Sequence, residues 1–163
     1  MVYIITGDKN RGKTERIRML YQERGGDGFI SSKRFSGGIP SGYDIVRLST
    51  GEAMSLCVKG DSIPADWDEI DTAGSYSFSG KAIRFAESII DEILERNIEP
   101  VYLDEIGTLE LDGRGFSPLL RKVLETERDI FMAVRMNCVQ NVISQFNIEN
   151  YKKITVGEHN QIP

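Results

Sequence analysis

Short apolar runs and helical stripes take turns along the chain. Val2-Tyr3-Ile4-Ile5-Thr6 is β-branched and aromatic, stops at Gly7, and predicts a buried strand. After a polar, glycine-flanked loop, Ile17, Leu20 and Tyr21 recur at helical spacing. They predict a helix over Lys13 to Arg24, which Gly25-Gly26 stops. Gly28-Phe29-Ile30-Ser31 predicts a second strand, and the turn formers between Phe35 and Gly42 predict a mobile loop. Tyr43 to Leu48 and Ser55 to Lys59 alternate as two strands of a hairpin, joined through Ser49-Thr50-Gly51-Glu52. Residues 60–80 show no regular pattern; Trp67 is expected to pin that loop onto the body. The strongest helical stripe follows from Lys81 to Asn97, through Ala82, Ile83, Ala86, Ile89, Ile90, Ile93 and Leu94, with Ser79 as its N-cap. Pro100 ends it, and Val101-Tyr102-Leu103 reads as a strand leaving into Asp104-Glu105. Ser117-Pro118 opens a helix over Leu119 to Thr126. Ile130 to Val134 is a strand, Val139 to Phe146 a helix, and Lys152 to Val156 the last strand. Strands separated by helices predict an α/β fold, a mainly parallel central sheet flanked by helices with a small hairpin insertion.

Composition narrows this picture. With roughly 150 residues per domain, a chain of 163 residues is expected to form one domain over 1–163. No apolar run approaches the ~18–20 residues of a bilayer span. The run Val2 to Ile5 is too short for the core of a signal peptide, so a cytoplasmic protein without a membrane partner is expected. The net charge of −5 opposes bulk binding to nucleic acid, although a local basic loop can still hold a small anion. Cys57 and Cys138 have no metal-ligand spacing and are expected to be free, buried thiols. His159, the lone histidine, lies in a polar tail and supports neither a zinc site nor a serine triad. Composition sets no oligomeric state.

The chemistry begins at Gly7-Asp8-Lys9-Asn10-Arg11-Gly12-Lys13-Thr14, which fits G-x-x-x-x-G-K-[ST] at every fixed position. Its place between a predicted strand and a predicted helix is what the motif needs. Loop N–H groups form a nest for phosphate oxygens, and the helix N-terminus adds positive potential. Gly7 permits the turn out of the strand, and Gly12 lets the backbone approach the phosphates. Asn10 stands where such loops often have glycine, and asparagine tolerates a left-handed conformation. Lys13 would reach the β- and γ-phosphates and Thr14 would bind Mg²⁺, with Glu15 opening the helix behind them. The residues from Gly7 to Glu15 are therefore the nucleotide-binding candidates.

A phosphate loop also needs an acid on the magnesium side, at the end of another parallel strand. Asp104 supplies it, giving Thr14 and Asp104 as the metal pair. Glu105 follows where a carboxylate can polarise a water aligned with the γ-phosphate, so Lys13 and Glu105 are the catalytic candidates. Arg135 follows directly on the strand Ile130 to Val134 and is a candidate γ-phosphate sensor. Arg114 and Arg121-Lys122 read as a solvated face, and Glu110 as structural support for its loop.

Asp104-Glu105-Ile106-Gly107-Thr108-Leu109-Glu110-Leu111 resembles the D-E-I-G-x-M-E-L signature of the THEP1-type nucleoside triphosphatases, with Leu109 in place of Met. Gly28-Phe29, Gly37-Gly38 and Gly42-Tyr43-Asp44-Ile45-Val46 resemble the family's G-F…G-G…G-F-D-V-V segment. Gly74-Ser75-Tyr76 with Phe78 resembles its G-x-Y-x-F region. The resemblance implies an α/β P-loop NTPase fold and Mg²⁺-dependent hydrolysis of ATP, GTP and other nucleoside triphosphates to diphosphates. Broad base tolerance fits, since nothing here resembles an N-K-x-D guanine reader. The chain departs from the family at Ser32, Lys33, Arg34 and Phe35, and at the charged loop residues Lys9 and Arg11. Extra cations there either act as an internal finger on the γ-phosphate or tighten product binding.

Two other readings stay open on sequence alone. One is a P-loop kinase that passes the γ-phosphate to a small acceptor, for which residues 60–80 would have to form a lid. The other is a nucleotide-dependent binding module, in which nucleotide orders the Phe35–Gly42 loop and turnover is slight.

Overall fold

Side-chain alternation decides the architecture. In the computed structural model, which describes residues 1–157, the strands place Ile4, Phe29, Val101, Leu103, Ile130 and Met132 on one face. Ile5, Ile30, Tyr102, Phe131 and Ala133 lie on the other. Both faces are apolar, so both must be covered, as in α/β proteins with parallel strands. The parallel part of the sheet is β2 (Asp27–Ser36), β7 (Val101–Ile106), β8 (Ile130–Val134), β1 (Val2–Thr6) and β9 (Tyr151–Thr155), in that order. Helix α1 (Lys13–Arg24) covers one face through Ile17 and Leu20. Helices α2 (Gly80–Glu95), α4 (Ser117–Leu124) and α5 (Val139–Gln145) cover the other. In α2, Ile83, Ile89, Ile90 and Ile93 are buried as the stripe predicts, each contributing ~1.5–3 kcal/mol. Ser79 caps the helix, its hydroxyl accepting from Ala82 N at 3.4 Å.

Beyond β2 the sheet continues antiparallel through β3 (Ile39–Arg47), β4 (Ala53–Lys59), β6 (Tyr76–Ser79) and β5 (Glu69–Ala73). The insertion is thus four strands rather than a small hairpin. Phe35 to Gly42 is not a loop: β2 runs to Ser36, turns at Gly37-Gly38 and returns as β3. Both turn residues have positive φ (56° and 77°), the geometry whose twist matches a two-residue hairpin. Residues 60–80 hold a second unexpected hairpin, β5 and β6, turning at Gly74. Trp67 does pin this segment, its Nε1 donating to Ser77 Oγ at 2.8 Å.

Three smaller differences touch the site. Strand β7 does not end at Leu103 but continues to Ile106. A single helical turn, α3 (Thr108–Leu111), follows it. Helix α4 starts at Ser117 itself, with Phe116 at the N-cap position. Cys57 and Cys138 are free and buried, and burial pushes the Cys57 thiol up to about 11. Among the described residues no helix is long and apolar enough to cross a membrane. His159 lies outside the described residues.

Candidate active site

Because β1, β7 and β8 are parallel, their carboxyl ends meet at one edge of the sheet, the position where open α/β sheets bind ligands. The segment Gly7 to Gly12 joins β1 to α1 there. Gly12 takes φ 92° at the N-cap of α1, and Asn10 takes φ 61°, the left-handed conformation expected of it. Arg11 N donates to Asp8 O at 3.3 Å, and Arg16 N to Gly12 O at 2.9 Å starts the helix. Lys13 arches back over the loop, its Nζ donating to Gly7 O and to Asp8 O, both at 2.9 Å. The ammonium is thereby held over the mouth of the nest. Glu15 is exposed in the first helical turn.

Thr14 Oγ1 donates to Asp104 Oδ2 at 2.7 Å, joining positions ninety residues apart in sequence. Asp104 is 2% exposed and also accepts from Ser31 N at 3.0 Å and from Glu105 N at 2.9 Å. Burial first, and the neighbouring Glu105 charge second, push its carboxyl up to about 6. Beside it the Ser31 hydroxyl is buried with no hydrogen-bond partner among the described residues. This set of oxygens suits Mg²⁺, a hard cation that takes one or two protein oxygens and keeps several waters. A desolvated carboxylate, a hydroxyl bonded to it and an orphaned oxygen are what such an ion and its waters would satisfy.

Glu105 owes its aim to a bulge. Leu103 pairs with Met132 and Ile106 with Val134, so Asp104 and Glu105 together oppose the single residue Ala133. Bulges beside active sites re-aim side chains. Here Asp104 turns inward while Glu105 adopts φ 63°, unusual for a glutamate and costing ~1–3 kcal/mol. Its carboxylate is 35% exposed and lies 3.8 Å from Arg135 Nη2. Arg135 follows β8, its side chain lying over Gly107, where an added Cβ would sit 3.1 Å from Arg135 Cδ. Glu110, 3% exposed, accepts from Gly107 N at 2.8 Å and Phe116 N at 3.0 Å. It braces both ends of the segment beyond the bulge, as structural support requires.

The geometry thus brings Gly7, Asp8, Lys9, Asn10, Lys13, Glu105 and Arg135 around one cavity of about 780 Å³. Arg11, Gly12, Thr14 and Glu15 stand outside its lining, at the helix end of the loop. Of the extra cations, Lys9 and Arg11 belong to the loop itself, and of the two on β2 only Lys33 reaches it, donating to Asn10 Oδ1. Arg34 instead pairs with Asp44 at 3.2 Å and with Ser55 inside the antiparallel extension. Arg114 is not merely solvated: it binds Asp71 of β5. Sequence reading missed the role of Ser31, whose only signal was its place at the end of an apolar run. It also missed the apolar walls of the cavity: Tyr43, Tyr76 and Phe78 stand in the glycine segments of the resemblance, but those segments carry no sign that the three share a cavity with Leu56, Ile83 and Phe116.

Comparison with known proteins gives the family and the fold. A curated nucleoside-triphosphatase THEP1 from Pyrobaculum aerophilum is 28% identical over 69% of this chain, the match covering 58% of the relative. The chain therefore spans less than two thirds of that protein. A second, from Methanocaldococcus jannaschii, is 25% identical over 94% of this chain and 92% of its own length. The crystal structure of THEP1 from Aquifex aeolicus superposes with a TM-score of 0.75 at 19% identity, over 99% of this chain and 92% of that one. The solution structure of a human cancer-related nucleoside triphosphatase gives 0.69 at 23%, over 97% and 89%. These two likenesses show the fold, a P-loop NTPase sheet flanked by helices. The family model described as NTPase matches residues 2–162, and the chain belongs to that family, the THEP1-type nucleoside triphosphatases.

Proposed function

We propose that the chain is an Mg²⁺-dependent hydrolase that converts nucleoside triphosphate and water to diphosphate and phosphate and accepts several bases, ATP and GTP among them. The observation that carries this reading is the 2.7 Å bond between Thr14 and Asp104, with the Lys13 ammonium over the same loop. The names of the relatives support the reaction. The net charge of −5 supports a free nucleotide over nucleic acid, and two free buried thiols suit a reducing cytoplasm. One continuous sheet, nine-stranded among the described residues, supports the reading of 1–163 as a single nucleotide-binding domain.

In this reading the backbone from Gly7 to Glu15 holds the triphosphate, and Lys13 exchanges its two carbonyl partners for β- and γ-phosphate oxygens. Thr14 directly, and Asp104 through water, would hold the metal, which when bound neutralises charge on the β- and γ-oxygens. Glu105 takes the proton of the attacking water as its oxygen bonds to the γ-phosphorus and the bond to the β-phosphate oxygen breaks. Arg135, beside Glu105, senses the γ-phosphate. The strain at Glu105 supports this role, since such outliers persist where the surroundings over-determine them.

The test is phosphate release from ATP, GTP, CTP and UTP, with Mg²⁺ and with excess EDTA. Turnover of several nucleotides that stops without metal is expected. Nucleotide binding without phosphate release would overturn the hydrolase reading.

A further inference from the structure

The cavity of about 780 Å³ has to hold the terminal phosphates beside Gly7 to Asn10 and Lys13 and an attacking water of about 30 Å³, and it extends beyond the phosphate loop into apolar walls. Lys13, Glu105 and Arg135 line it, with Glu105 and Arg135 3.8 Å apart, and so do the polar side chains of Thr108, Glu110 and Asn137. The rest is walled by Tyr43 of β3, Leu56 of β4, Tyr76 and Phe78 of β6, Ile83 of α2 and Phe116. Leu56, Ile83 and Phe116 are 4%, 8% and 4% exposed, and the Tyr43 and Tyr76 rings meet edge-on at 5.7 Å. Such walls give ordered water too few partners, whereas ligand sites of about 300–1,000 Å³ combine apolar walls with a few convergent polar groups.

Position says which end of the nucleotide this chamber faces. In a phosphate loop the lysine lies at the β- and γ-phosphates and the threonine at the metal. The cavity touches the loop through Gly7 to Asn10 and Lys13 and leaves out Gly12, Thr14 and Glu15. It therefore opens from the terminal-phosphate end and runs across the edge of the sheet into the antiparallel extension, away from α1. Tyr43 and Glu105 line the same cavity, so the chamber and the carboxylate adjoin.

We propose that this chamber is a second substrate site, which takes a small aromatic alcohol as phosphoryl acceptor in place of water. The aromatic body packs among Tyr43, Tyr76, Phe78 and Phe116, and its hydroxyl points to Glu105. The hydroxyl oxygen bonds to the γ-phosphorus as the bond to the β-phosphate oxygen breaks. The alcohol proton passes to Glu105, and the products are a phosphate monoester and the nucleoside diphosphate. The inference rests on the reading that the γ-phosphate lies between Lys13 and Glu105.

The test uses the full chain with Mg²⁺, ATP labelled in its γ-phosphate and benzyl alcohol as the probe. Saturable binding of benzyl alcohol by ligand-observed NMR is expected, undiminished by saturating ADP and Mg²⁺. Label is expected in benzyl phosphate, with ADP formed in excess of free phosphate. Leu56→Phe, which pushes a larger ring into the chamber from its wall, should weaken probe binding at least about tenfold and remove benzyl phosphate, leaving phosphate release to water within about twofold. Ala73→Phe, on the half-exposed rim, gives the same readout if Leu56→Phe fails to fold. Absence of saturable binding, or binding without benzyl phosphate, overturns the proposal. Displacement of the probe by ADP overturns it too, by making the chamber the base pocket. Phosphate release without the probe reads the hydrolase assignment separately: release without benzyl phosphate sinks only the acceptor, and benzyl phosphate without release sinks only the hydrolase.

Discussion

From β9 across to β2 every pairing in the sheet is parallel, and from β2 out to β5 every pairing is antiparallel. The two halves differ in what they bring to the cavity. In the parallel half β8 is buried at all five positions and β1 at its last three, so these strands are continuous apolar runs. Their carboxyl ends point the same way, which places Gly7, Asp104, Glu105 and Arg135 at one edge. In the antiparallel half strand ends alternate in direction and cannot converge. That half contributes side chains from the faces of β3, β4 and β6 instead, and β5 at its margin has no buried residue. The parallel half carries the phosphate chemistry, and the extension supplies a wall.

The sharpest way to break that division is Glu105→Gln. If the chemistry belongs to the bulge of β7, phosphate release falls by about 10²–10⁴. Nucleotide affinity, read with a fluorescent analogue, stays within about twofold because the loop and Lys13 are untouched. A rate that falls less than threefold would move the catalytic base elsewhere. Next in size is a change at the seam between the halves. Arg47 at the end of β3 reaches Asp27 of β2 at 2.7 and 2.8 Å and Glu92 of α2 at 2.6 Å. Asp27 is 1% exposed, so Arg47→Met strands a buried carboxylate. Losing one partner of such a pair costs ~3–5 kcal/mol. The lower end is expected here, because Gly28 N and the Ser49 amide and hydroxyl still donate to Asp27. Denaturant unfolding measures the loss, and turnover per folded molecule should not change.

A smaller effect is expected at Arg135. Its side chain is 58% exposed, so Arg135→Ala should leave the unfolding midpoint in place. If the guanidinium senses the γ-phosphate, kcat falls about tenfold, or ~1.4 kcal/mol of activation free energy. An unchanged kcat would make Arg135 a cover for Gly107 and nothing more.

The same contrast explains what could be read from the chain. Ile130 to Val134 and Val2 to Thr6 are legible because burial on both faces demands uninterrupted apolar residues. Glu69-Ile70-Asp71-Thr72-Ala73 has no buried position to mark it, and its partner is short, so the β5–β6 hairpin reads as irregular chain. Phe35 to Gly42 misleads for a different reason. Its glycines look like a loop, yet two of them form only the turn and the flanking residues pair. In the site, the loop motif and the acidic strand end are local patterns and are visible. The aim of Glu105 is not, since a bulge is a matter of register between β7 and β8 that neither strand encodes alone. The chamber is least legible: Tyr76 and Phe78 share a short motif, but nothing in the sequence joins them to the walls from β3, β4, α2 and Phe116.

The smallest predicted effect tests what holds the seam. Glu92 accepts from Arg47 Nη1 at 2.6 Å and from Arg96 Nη1 at 2.8 Å. The hydrogen bond from Arg47, and after it that from Arg96, hold its carboxyl at about 2 against a usual 4.5. A carboxylate depressed in the folded state contributes its full stability above the unfolded value and loses it as pH falls through the folded one. The stabilisation is therefore complete above about 4.5 and fades toward about 2. Glu92→Gln should lower the melting midpoint at pH 6, and its gap to the parent chain should narrow steadily below pH ~4.5. A gap that stays constant between pH 6 and pH 3 would mean that Glu92 acts through packing. The two halves would then be joined at that point by shape rather than by charge, with the Arg47–Asp27 pair as the ionic contact of the seam.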